Sequence, residues 1–149
     1  RRLREALVRA TRLRAREILI LPAAAYWLGR VGRQLQREPL SSVLRALRDR
    51  VGRSRRRGLV RLTPRELCVA VERCASWLMR RYTCLPQALA AYVLCTERGY
   101  RVDIRVGVAR PEAGFLAHAW LEYDGSVILG ELSNMNELTV VNGSAELLR

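Results

Sequence analysis

"FLAHAWLEYDGSVILGE", residues 115–131, decides the fold. Apolar and polar residues alternate on either side of Asp124-Gly125, a dipeptide that favours the two-residue turn of a β-hairpin. Upstream, "VDIRVGV" (102–108) alternates Val102, Ile104, Val106 and Val108 against Asp103, Arg105 and Gly107. That period of two marks a strand. "LTVV" (138–141) offers another. Before these strands the period changes to that of helices. "TPRE" reads as a capping box, with Thr63 at N-cap, Pro64 at N1 and Glu66 at N3. The helix it opens should run to about Arg81 and bury Leu67, Val71, Ala75 and Leu78. A second helix is expected from about Cys84 to Arg98, with Thr83 as N-cap and Gly99 closing it. Helices first and antiparallel strands later predict an α+β fold.

Residues 1–58 read as an arginine-rich helical region appended to a core of residues 59–149. Leu3, Leu7, Ala10, Leu13 and Ile18 give an imperfect helical stripe that Pro22 breaks or kinks. Leu40, Val43, Leu44, Leu47 and Val51 give a cleaner one, with Ser41 or Ser42 as N-cap. "RSRRRG" (53–58) reads as a charged linker.

The chain has 149 residues and a net charge of +13, and all 27 of its basic residues are arginine. Half the residues are hydrophobic, which excludes a disordered tail. The longest apolar run, residues 18–28, contains Pro22 and is too short to span a bilayer. No secretory signal is legible, and a reducing, cytoplasmic compartment is the expectation. The charge suits nucleic acid, an anionic membrane or an acidic peptide, or simply a solvated helical surface. An arginine-rich nucleic-acid-binding module would use residues 1–58, with Tyr26 and Trp27 for stacking. "ILILPAAAYWL" could lie on a membrane surface. No cysteine pair has CxxC spacing and there is one histidine, so no metal site is expected. No phosphate-cradling glycine motif is present, and no cofactor is expected.

In "YTCLPQALAAYVL" (82–94) a cysteine opens a helix instead of sitting inside its apolar run. A helix N-terminus favours a thiolate. Cys68, Cys74 and Cys95 lie in apolar patterns and read as small buried hydrophobes. His118 is the only histidine. A two-residue turn at 124–125 pairs Tyr123 with Ser126 and places His118 opposite Glu131, with Cβ atoms roughly 4.5–5.5 Å apart. A carboxylate there would orient the imidazole. Glu122 lies four residues along the same strand, roughly 13 Å away. A bulge after Gly125 would turn Glu131 away. Cys84 beside His118 would make an activated nucleophile, with the Cys84 N–H available to an oxyanion. Gln87 could donate a further hydrogen bond or act in capping. Trp120 could wall the site or fill core.

"CLPQALA…RGYRVDIRVGV…AHAWLEYDG" resembles the transglutaminase-like cysteine-protease superfamily, and within it the leader peptidase of lasso-peptide biosynthesis. The likeness covers residues 64–141. It implies a papain-like core of helices on a small antiparallel sheet, with Cys84 as nucleophile and His118 as general base. The family's third member is an aspartate after the hairpin turn. Here no aspartate follows Asp124, and Glu131 stands near the expected place. The implied reaction is removal of a leader from a precursor peptide. The implied partners are that peptide, a separate leader-binding protein and a lasso cyclase. An amine-accepting acyltransferase of similar fold would use the same groups.

Overall fold

A computed structural model describes residues 15–53, 61–78, 83–110 and 114–143. The chain is α+β: helices come first, and an antiparallel sheet follows. Among the described residues, α1 (Ala15–Ile18), α2 (Leu21–Arg37) and α3 (Leu40–Arg53) precede α4 (Pro64–Trp77) and α5 (Cys84–Thr96). The strands are β1 (Val102–Ala109), β2 (Leu116–Tyr123), β3 (Ser126–Leu129) and β4 (Thr139–Gly143). They lie in the order β3-β2-β1-β4, and a 3₁₀ turn, Met135–Glu137, leads into β4.

α5 is the centre of the molecule. Every residue from Ala88 to Cys95 is buried. A helix apolar on all sides must be covered on all sides. α2 and α4 pack on it from the helical layer, and β2 and β1 from the sheet. Trp27, Leu28 and Val31 of α2 and Val43, Leu44 and Leu47 of α3 join the same core cluster as Leu89, Val93, Ile104 and Leu121. The apolar stripe around residues 20–31 therefore faces protein. Trp27, one of the two aromatic residues considered for base stacking, is 3% exposed and carries the Arg50 guanidinium 4.9 Å from its ring centroid. Among the described residues no helix is long and apolar enough to cross a membrane.

Local chemistry sets the ends of the elements. The Thr63 hydroxyl accepts from the Glu66 N–H at 3.2 Å, and the Glu66 carboxylate accepts from the Thr63 N–H at 2.7 Å. α4 then ends at Trp77, and Leu78, expected to be buried, is the C-cap and half exposed. Pro22 opens α2 and is not an interruption within it: a turn separates α1 from α2, and the proline occupies the first turn, where its missing N–H costs nothing. α3 starts at Leu40, directly after Pro39, and Ser42 N–H bonds to the Pro39 carbonyl. Ser41 and Ser42 are thus inside the helix and do not cap it. α5 gives way to a turn after Thr96, where Gly99 takes a φ of +85° and Tyr100 N–H returns to the Cys95 carbonyl. The stripe from Leu3 to Leu13, the linker at 53–58 (from Ser54 on) and the last turn expected before Arg81 lie outside the described residues.

The hairpin turn forms as expected. Asp124 and Gly125 both have positive φ, 51° and 76°, as a type I′ turn requires. Tyr123 pairs with Ser126 and Glu122 with Val127. The register then slips: Leu121 pairs with Leu129, and Ile128 is the extra residue of a bulge. A bulge leaves backbone groups without ladder partners. The Arg65 guanidinium supplies one, donating to the Ile128 carbonyl. Arg65 sits in the first turn of α4, so the capping box that orients this turn also aims the arginine.

Arg65→Met should release the bulge. It removes a charge-assisted hydrogen bond to a buried carbonyl, and the expected loss is about 1.5–3 kcal/mol of unfolding free energy. Urea denaturation reads the loss. Amide shifts at 127–131 should move more than those at 102–106; unchanged shifts there would mean that the arginine does not hold the bulge.

Candidate active site

The free cysteines divide three to one. Cys68 and Cys95 are wholly buried, and Cys74 is 4% exposed. The Cys68 thiol is pushed far above its ordinary range, first by its hydrogen bond with Cys95 and then by burial. Burial also pushes the Cys74 thiol up. Cys74 Sγ donates to the Leu21 carbonyl at 3.5 Å. Burial shields all three from solvent. Cys84 alone is partly open to solvent. It is the first residue of α5, after Thr83 at the N-cap. The Thr83 side chain makes no capping hydrogen bond, so the first-turn amides keep their donors for another acceptor.

A cavity of about 410 Å³ opens between α2 and this first turn. Gly29, Gly32 and Arg33 line it on one side, and Thr83, Leu85 and Pro86 on the other. The neighbours of Cys84 on both sides in sequence thus border one cleft. Gln87 lies one turn along α5, half-buried, and its N–H reaches the Thr83 carbonyl at 3.4 Å.

β2, which packs on α5, carries His118. Its residues alternate. Ala119 and Leu121 enter the helix-packed core. His118, Trp120 and Glu122 belong to the other face. The His118 and Trp120 rings stack at 15°, with centroids 6.1 Å apart. Trp120 Nε1 donates to Glu122 Oε1 at 2.8 Å, and Arg105 Nε donates to Glu122 Oε2 at 3.1 Å. At 3% exposure, Trp120 supports His118 from within the fold and presents no wall to a substrate. Gly107, paired with His118 across β1, leaves room for that indole. A Cβ there would lie 2.9 Å from the Trp120 ring and 3.0 Å from Leu138 Cβ.

The expected partner of His118 is displaced. Counting on from Leu121 and Leu129, the bulge at Ile128 brings Gly130, not Glu131, alongside this face. His118 Nε2 meets the Gly130 carbonyl oxygen at 2.6 Å. Glu131 is exposed and off the end of β3. The slip foreseen for a bulge has occurred, three residues beyond Gly125. Among the described residues Cys84 and His118 are not hydrogen-bonded to each other, and Cys84 packs against the core cluster. The structure therefore gathers His118, Trp120, Glu122 and Gly130 into one cluster, with Cys84 at the exposed tip of the helix that β2 packs on. Neither Gly130 nor Arg65 was singled out in the sequence. A glycine shortly after a hairpin strand was the available signal for a bend there.

The transglutaminase-like superfamily model matches residues 9–143, nearly the whole chain. The chain belongs to the transglutaminase-like superfamily. Comparison with curated proteins and with solved structures returned no significant match. Superfamily membership places the chain among cysteine-protease and acyltransferase-like domains. It also covers α1 to α3, so the arginine-rich helices fall inside the matched region.

Alkylation distinguishes the thiols. Iodoacetamide at mildly alkaline pH should modify native protein at Cys84 first, as read by peptide mapping. Cys68, Cys74 and Cys95 should react only on unfolding, because burial hides all three and raises the Cys68 and Cys74 thiols. Labelling of Cys95 ahead of Cys84 would remove Cys84 as the candidate nucleophile.

Proposed function

We propose that the chain is a cysteine peptidase that removes the leader from a lasso-peptide precursor, with Cys84 as nucleophile and His118 as general base. The observation that carries this reading is the placement of Cys84. It is the one partly exposed thiol, at the first turn of a buried helix, between Thr83 and Leu85, which line a cleft, and β2, which packs on that helix, carries the only histidine. The narrower substrate assignment rests on the likeness of "CLPQ" and "HAWLEYDG", at their separation, to the lasso leader peptidases.

The chemistry follows from these groups. His118 takes the Cys84 proton, and Sγ attacks the scissile carbonyl to form a C–S bond. The first-turn amides of α5 face the oxygen that gains charge. Collapse breaks the C–N bond, and the imidazolium gives its proton to the departing amine. Water, deprotonated by His118, then attacks the thioester, releasing the carboxylate and restoring the thiol. Among the described residues Cys84 and His118 are not hydrogen-bonded to each other. Catalytic hydrogen bonds of this kind commonly tighten only with substrate bound. An acidic leader would be drawn to a chain of charge +13. Delivery by a separate leader-binding protein, and transfer of the new N-terminus to a cyclase, complete the proposed pathway step.

Incubation with the precursor peptide and a leader-binding protein tests the reading by mass spectrometry. The expected product is a single cut at the leader–core junction. Cys84→Ala and His118→Ala should each abolish it while thermal unfolding stays cooperative. Alanine at Cys68, Cys74 or Cys95 should leave turnover and lower stability, by about 1–3 kcal/mol. Cleavage that persists in Cys84→Ala would refute the assignment. A thioester that turns over only with an added amine would point to acyl transfer instead.

A further inference from the structure

The geometry points to the main-chain carbonyl of Gly130, in place of a carboxylate, as the group that orients His118 for catalysis. The inference rests on the peptidase reading above and names the third member of that site. A carbonyl oxygen can only accept a hydrogen bond. At 2.6 Å from Nε2, it requires that nitrogen to carry the proton. The neutral imidazole is therefore the Nε2–H tautomer, and Nδ1 is left with the lone pair that a general base needs.

Three features hold this arrangement. The Trp120 indole stacks on the ring and fixes its plane. The Ile128 bulge, tied to Arg65, advances the chain by one residue so that position 130 reaches the histidine. Position 130 must then be glycine. Its φ is +81°, a region that side-chain-bearing residues rarely adopt. A Cβ there would lie 3.0 Å from the Ala119 carbonyl oxygen, 3.2 Å from Trp120 Cβ and 3.3 Å from His118 Nε2. The same slip that removes Glu131 from the histidine thus brings in a glycine whose carbonyl can approach it closely. Gly130 is a positioning residue: it acts through His118 and touches no substrate.

The lone histidine makes the test direct, since the imidazole nitrogens of the full-length chain give one set of signals. With ¹⁵N-labelled histidine, NMR above the histidine's titration should show Nε2 protonated and Nδ1 bare. Glu131→Gln should leave that tautomer, the histidine titration and the pH profile of kcat/KM unchanged. Gly130→Ala should disturb the tautomer and lower kcat about ten- to a hundredfold with a smaller change in KM. Should that variant fail to fold, the wild-type tautomer and Glu131→Gln still decide. An Nδ1–H tautomer, or a Glu131→Gln variant with a shifted histidine titration and lower kcat, would overturn the assignment. Turnover surviving in His118→Ala, with the wild-type protein showing the Nε2–H tautomer, would instead sink the peptidase reading and leave the carbonyl contact standing.

Discussion

Burial of α5 on all sides is the constraint from which the rest follows. A helix whose residues Ala88 to Cys95 are all closed to solvent needs a wall in every direction. Neither the helices nor the sheet can supply that alone, which is why α2 and α4 cover one side while β1 and β2 cover the other. Fully burying a leucine or valine is worth about 1.5–3 kcal/mol. Exposing Leu89, Val93 and Leu94 by removing either layer would consume most of the stability of an ordinary domain. The arginine-rich helices are held by the same requirement: Ala24, Trp27, Leu28 and Val31 join the core around α5, and the Arg50 guanidinium covers the Trp27 ring and pairs with Glu97 just past the end of α5.

The same constraint decides where chemistry can occur on this helix. Its interior offers no access, and its C-terminal end gives way to the turn at Gly99. Solvent reaches the helix only at its ends, and Cys84 occupies the first turn. A thiol placed one or two turns later would share the fate of Cys95, enclosed at 0% exposure between the Cys68 thiol and the Pro64 carbonyl. Accessibility and the positive end of the helix dipole coincide at this one position.

Much of this was legible because the signals are local. The capping box, Gly99 and the Asp124-Gly125 turn each depend on residues within a few positions, and each appears where its chemistry puts it. The α+β order, Cys84 at a helix start and His118 on the first strand of a hairpin were readable for the same reason. The bulge was not. Ile128 is displaced from the ladder by an arginine 63 residues earlier in the chain, and no pattern within the hairpin records that partner. A period-two count across a hairpin assumes an unbroken ladder, and one extra residue moves every later side chain to the opposite face. Ser41 and Ser42 failed as caps for a nearer reason: Pro39 starts the helix turn before them, and a serine inside the first turn has no unpaired amide to cap.

Carboxylate chemistry has not left this face of the sheet; it has been moved. Glu122 faces the same way as His118, yet its two oxygens are taken by the Trp120 indole and the Arg105 guanidinium. Its charge is neutralised at the far end of the tryptophan, and it reaches the histidine only through the stacked ring. The histidine itself is met by a carbonyl dipole. A full negative charge at hydrogen-bond distance favours imidazolium far more than a dipole does, and 27 arginines in the chain add no help to a cation. The contact therefore fixes which ring nitrogen carries the proton without setting a carboxylate charge beside it. Glu122 is committed to the tryptophan that stacks on the histidine, so the carboxylate steadies the ring while the carbonyl sets its tautomer.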